Sequence, residues 1–199
     1  MIIFCIKNTY EYEIIMEYKI KNILLNITIS VFIMTGISIA QEVNSPTLSY
    51  AMTYQADLLP PQVVAPNRLV WDAPSGWVKS VDGSTGKIIE PSGDWMTVTA
   101  PDGFSLDVRA SILMDDGAQI YVEYKGRVKL TEQGLAKMQA AELLTSEDFY
   151  FITSPTVMTI AEKYLWMNDR TFVSKGVAFQ PPTAEKMGYV RYDVYLVNM

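Results

Sequence analysis

Phe104-Ser105-Leu106-Asp107-Val108-Arg109-Ala110-Ser111-Ile112-Leu113-Met114, then Asp115-Asp116-Gly117, then Ala118-Gln119-Ile120-Tyr121-Val122-Glu123-Tyr124-Lys125-Gly126: apolar and polar residues alternate on both sides of a tight turn. A two-residue period is that of a half-buried strand, and Asp-Gly between two such runs is a hairpin signal. The stretch therefore predicts two antiparallel strands. On the first, Leu106, Val108, Ala110 and Ile112 share one face, and Asp107 and Arg109 share the other.

Outward from this hairpin the same reading continues. Thr47–Leu58 reads as a first strand stopped by Pro60-Pro61, and Arg68–Trp71 as a short one. Pro74–Gly93 is turn-rich, around Trp77-Val78 and Lys87–Ile89. Asp94–Thr99 forms a strand just before the hairpin. Thr131 caps a helix predicted over Glu132–Leu144, with Leu135 and Met138 on one face. Phe149–Thr153, Thr156–Ile160, Tyr164–Asn168, Thr171–Val177 and Tyr189–Val197 read as further strands. Many short strands with one short helix indicate an all-β fold, a closed or nearly closed antiparallel barrel, because pairing the first strand with the last hides both edges.

The chain has 199 residues, a net charge of −6, no histidine and a single cysteine, Cys5. Without histidine there is no Ser-His-Asp or Cys-His nucleophile and no histidine metal site. Catalysis would fall to carboxylates, Tyr, Lys or Arg, and no cofactor or metal is expected. The acidic balance, without a basic patch, argues against nucleic acid and anionic membranes.

Residues 1–40 read as an N-terminal extension plus an export signal, with Met16 as the expected start. Lys19 and Lys21 precede the mostly apolar Ile23–Ile39, and Ser38-Ile39-Ala40 suits cleavage after Ala40. Polar residues at Asn26, Thr28, Ser30, Thr35 and Ser38 favour cleavage over a retained anchor. Residues 41–46 would be a linker and 47–199 one barrel domain, periplasmic or secreted. The oligomeric state is left open.

Gly93-Asp94-Trp95, the Asp107–Arg109 strand, Asp116–Ile120, Tyr150-Phe151-Ile152-Thr153 with Pro155, and Tyr164–Asn168 occur in that order. Together they resemble the domain-of-unknown-function family number 3237, over Leu48–Val197. The resemblance implies a compact antiparallel β-barrel with a central cavity and no particular reaction. The chain departs from the family pattern at Ile152, where the family commonly has Arg, and at Val157-Met158-Thr159, in place of Phe-Glu-Thr.

The candidate ligand-binding residues are Asp94, Trp95, Asp107, Arg109, Tyr121, Tyr124, Trp166 and Asn168, holding a small, partly apolar molecule. Asp107 and Arg109 either line a barrel lumen, with Arg109 orienting a ligand oxygen, or form a solvated pair outside it. Tyr189 and Tyr195 are further aromatic candidates, though aromatics also simply fill strands and cores. Asp115-Asp116-Gly117 lacks the EF-hand spacing and is explained by the turn. Glu123 beside Asp107 is a weaker carboxylate pair. Two functions stand open: a binding module, or a cofactor-independent lyase, isomerase or cyclase using Asp107, Arg109 and Tyr124.

Overall fold

Strands β6 (Gly103–Met114) and β7 (Gln119–Leu130) pair antiparallel from Gly103 with Lys129 to Leu113 with Gln119. Their turn contains Gly117 at φ 87°, a conformation glycine adopts without steric cost. Burial alternates along β6, and Phe104, Leu106, Val108, Ala110, Ile112 and Met114 form the inward row.

The computed structural model describes residues 16–19, 21–22 and 45–199. The chain divides into two units, Met1–Asn44 and Ser45–Met199. In the first, residues 16–19 and 21–22 are helical. The apolar run Ile23–Ile39, the Ala40 cleavage site and most of the linker lie outside the described residues. No helix among those described is long and apolar enough to cross a membrane.

The second unit is a barrel. Its other strands are β1 (Thr47–Leu58), β2 (Gln62–Ala65), β3 (Arg68–Asp72), β4 (Ser75–Ser80), β5 (Thr85–Ala100), β8 (Leu144–Thr145), β9 (Phe149–Met158), β10 (Phe172–Gln180) and β11 (Gly188–Asn198), with one helix, α1 (Glu132–Gln139). Eight of them close in the order β5-β4-β1-β11-β10-β9-β7-β6, and β6 returns to β5. As the closure argument anticipates, β1 and β11 pair along their length, from Thr47 with Asn198 to Leu58 with Gly188. The β2–β3 hairpin hangs on the second half of β5.

Four segments differ from the sequence reading. The turn-rich Pro74–Gly93 contains β4 and the first half of β5, which passes through Pro91 and Gly93 by an irregularity between Ile89 and Gly93. The helix ends at Gln139 rather than Leu144, because Ala141 turns to φ 55° and the fully buried Leu144 pairs with Phe179 instead. Phe149–Thr153 and Thr156–Ile160 are one strand. Pairing to β10 has lapsed beyond Thr153, so Pro155 sits beside an edge that carries no ladder to break. Tyr164–Asn168 is not a strand but falls largely in a 3-10 helix, Glu162–Met167. That helix is pinned to the β6–β7 turn: Lys163 Nζ and Tyr164 Oη reach Asp116 Oδ2 at 3.0 and 2.9 Å. Asp116 is thus spent on an anchor, and the described residues contain no cluster of metal-ligating side chains.

Candidate functional site: a tyrosine-walled lumen with one half-buried carboxyl

The inward rows do not fill the barrel. A cavity of about 310 Å³ is lined by apolar residues such as Leu58, Met96, Leu106, Val128 and Phe179. A second, of about 250 Å³, is lined by Met52, Val78, Val157, Trp166 and Phe172 among others. Tyr54 and Tyr124 border both, so they form part of the partition between them.

That partition is a stack. Tyr54 of β1 lies opposite Tyr192 of β11 in the ladder, and their rings stack at 4.8 Å. Tyr124 of β7 meets Tyr192 edge-on at 5.7 Å, and Phe151 of β9 does so at 5.1 Å. Such arrangements are the favoured geometries for aromatic quadrupoles. Burial pushes all three phenols well above their usual pKa; the charge of one tyrosine neighbour raises each further, while the Tyr54 hydroxyl beside Tyr124 and the Tyr124 hydroxyl beside Tyr192 pull the other way. They are neutral hydroxyls at any physiological pH. Tyr54 Oη is buried without a hydrogen-bond partner, although it lies close enough to Tyr124 to perturb its ionisation. The Trp71 indole nitrogen is likewise buried and unpartnered.

Asp94 brings the charge. On β5, Met96 faces inward and Trp95 outward, so alternation turns Asp94 inward as well. Its register partners are Trp71 on β3 and Val108 on β6, and Val108 in turn pairs with Tyr124. The row Asp94, Val108, Tyr124 thus crosses three strands on the lumen side. Between Asp94 and Thr97 the ladder to β6 opens: the Trp95 carbonyl accepts from Arg68 at 2.8 Å, and the Asp107 amide donates to Asp94 Oδ1 at 2.9 Å. Next to Asp94, Gly93 lets β3 approach closely on the other side, since a Cβ there would lie 2.6 Å from the Trp71 carbonyl oxygen.

The Asp94 carboxyl is enclosed by protein yet keeps accessible surface, and it borders the larger cavity. Desolvation raises its pKa to about 7, against the lowering effect of the Asp107 amide; the charge of Asp107 adds to the rise, and Arg68 and Lys125 reduce it. Its charge reaches the lumenal phenols, contributing to the raised pKa of Tyr124 and Tyr192.

Asp107 and Arg109 are placed otherwise than the lumen reading requires. Their row is the outward one, because Leu106, Val108 and Ala110 take the interior. Arg109 is 2.9 Å from Asp107, with the two side chains 43% and 29% exposed, and the 70%-exposed Lys125 also reaches Asp107 at 2.7 Å. The hydrogen bond from Lys125, then the Arg109 charge, holds Asp107 below the usual carboxylate range. Arg109 also borders the larger cavity, but its guanidinium is committed to Asp107 and to the face of Trp95, 5.2 Å from the ring centroid. Trp95 itself is 41% exposed. Tyr121 is on the outward row of β7, donating to Glu123 at 3.2 Å; Glu123 is opposite Arg109 in the ladder and does not pair with Asp107.

Of the remaining candidates, Trp166 borders the second cavity and packs on Phe172, while Asn168 holds a bend, exchanging hydrogen bonds with the Thr159 backbone at 3.0 and 2.9 Å. Tyr189 and Tyr195 face outward, against Arg191 and Tyr50. From the sequence-derived set, then, the structure brings Asp94, Tyr124 and, at its border, Arg109 to one cavity and scatters the others.

Residues 46–197 match the family described as Protein of unknown function (DUF3237). The chain belongs to that family. It is 35% identical over 89 residues to a UPF0311 protein of Clostridium acetobutylicum, an alignment covering 44% of this chain and 56% of that relative. It therefore spans little more than half the length of this curated relative. Among solved structures it resembles a conserved protein of unknown function from Rhodopseudomonas palustris, with TM-score 0.66, 22% identity, and coverage of 78% of this chain and 99% of that one. A beta-barrel like protein from Acinetobacter baumannii AYE gives 0.62 and 21%, covering 77% and 97%. At these identities the likeness is one of fold.

Tyr54, Tyr192 and Trp71 were missed by sequence reasoning. Tyr192 was legible, since Val190, Tyr192 and Val194 alternate with Arg191 and Asp193. Tyr54 was not separable from Tyr50, because β1 changes register between Tyr50 and Met52 and thereby changes which residues face in.

Proposed function

We propose that this protein is an exported β-barrel that binds a small, partly apolar molecule in its larger cavity. The observation that carries the reading is the lining: about 310 Å³ of largely apolar space with one half-ionised carboxyl and neutral phenols on its wall. That combination is typical of ligand sites, at the small end of the usual size range of roughly 300–1,000 Å³. The guest is uncharged or cationic, since an anion would meet Asp94 in a desolvated wall. Export is supported by the Lys19–Ala40 pattern.

The binding reading is tested with N-phenylnaphthylamine, a neutral fluorophore that brightens in apolar surroundings. Saturable one-to-one binding is expected, weakened strongly by Val108→Phe, which fills the larger cavity, and little changed by Trp166→Ala in the second. Circular dichroism checks that both variants fold. Equal binding by the wild type and Val108→Phe would place the fluorophore elsewhere and refute the reading.

A further inference from the structure

The fold does not need an ionisable group at position 94. The Asp107 amide requires an acceptor there, and an asparagine oxygen would serve as well as a carboxylate. A carboxyl in this wall carries a desolvation cost that the amide would avoid. Its second oxygen has no hydrogen-bond partner among the described residues, and the side chain borders a cavity also lined by Tyr124 and Tyr192.

We propose that this lumen catalyses proton transfer at carbon in a small, largely apolar ketone or aldehyde, with Asp94 as the base and Tyr124 and Tyr192 as hydrogen-bond donors to the carbonyl oxygen. The inference rests on the lumen being a ligand site. In the step, the C–H bond next to the carbonyl breaks and its proton passes to Asp94 Oδ2. The C–H electron pair becomes the C=C bond of an enolate, and the carbonyl π pair moves onto oxygen, where the phenols stabilise it. Asp94 then gives back a proton, either to the same carbon after trading its own with solvent water, which exchanges the hydrogen, or to a conjugated carbon, which shifts the double bond. Atoms and electrons balance without any co-reactant.

The surroundings suit each role. A base with pKa near the working pH is ionised often enough to act and basic enough to be effective. Asp94 lies in that range at about 7, and the charged groups around it are Arg68 on β3, Asp107 and Arg109 on β6 and Lys125 on β7. The phenols, raised well above 10, stay protonated and can donate. Donors fixed in an apolar wall stabilise a developing oxyanion more than water does.

The experiment follows hydrogen exchange of β-tetralone in heavy water by proton NMR, with displacement of N-phenylnaphthylamine measuring its binding. The wild type should accelerate exchange above buffer, with a rate that rises as Asp94 ionises through about pH 7. Asp94→Asn should lower that acceleration by about 100-fold or more while still binding the ketone. Tyr124→Phe and Tyr192→Phe should each slow exchange, again with binding retained. Exchange by Asp94→Asn at the wild-type rate overturns the proposal. So does a wild type that binds β-tetralone without exchanging it, which leaves the binding reading intact, or one that binds the fluorophore but excludes the ketone. Failure to bind the fluorophore at all removes both readings.

Discussion

Asp94→Asn is the perturbation with the most to say about this lumen. The carboxyl sits at about 7 in the folded chain, against an ordinary value of 3.8. A raised acid binds its proton more tightly when folded, so folding is favoured most while the group is protonated in both states. As pH rises through 3.8 the unfolded chain ionises first, and stability falls until the folded group also ionises near 7. At about 1.4 kcal/mol per pH unit, the gap corresponds to about 4 kcal/mol of stability lost between pH 4 and pH 8 through this one group. Asparagine keeps the acceptor for the Asp107 amide and carries no charge, so it should remove that dependence. Urea titrations of the wild type and Asp94→Asn across this range should show a difference curve that is flat below pH 4, rises in favour of the variant, and levels off above about pH 7. Taking the difference cancels carboxylates that do not interact with Asp94, such as Asp148, whose lowered value works in the opposite sense. A flat difference curve would mean Asp94 is solvated, and both the desolvated wall and the proton-transfer chemistry would lose their footing.

Arg109→Ala should cost less than about 1 kcal/mol in denaturant titration, because Asp107 faces outward and keeps Lys125 at 2.7 Å; a loss above about 3 kcal/mol would return the pair to a buried environment. Gly93→Ala should destabilise by about 1–3 kcal/mol, since its new Cβ would force the Trp71 carbonyl away from 2.6 Å, and fluorophore binding should weaken with it. If the export reading holds, intact-mass analysis of secreted or periplasmic material should give a chain starting at Gln41, and a species retaining Ile23–Ala40 in the membrane fraction would contradict it.

By itself the sequence determined that this is an antiparallel barrel with one short helix, because strand period and turn chemistry are local properties. Alternation over Phe104–Lys125 cannot be satisfied by any other element, and the Asp-Gly turn fixes its pairing partner. The same local information put Asp94 and Tyr124 among the site candidates. What it could not decide was which face of each strand looks in. Alternation left two assignments for the Asp107 and Arg109 row, and only closure of the barrel, with Leu106, Val108 and Ala110 converging from β6 onto Tyr54, Tyr124 and Tyr192, selected the outward one. Register irregularities compound this: a single slip in β1 turned Tyr54 inward and left Tyr50 exposed, and β5 carries another just before Gly93 and Asp94. Both depend on strands far apart in the chain. A carboxyl's pKa likewise depends on how much water the assembled wall excludes, so the chemistry of Asp94 belongs to the tertiary structure alone.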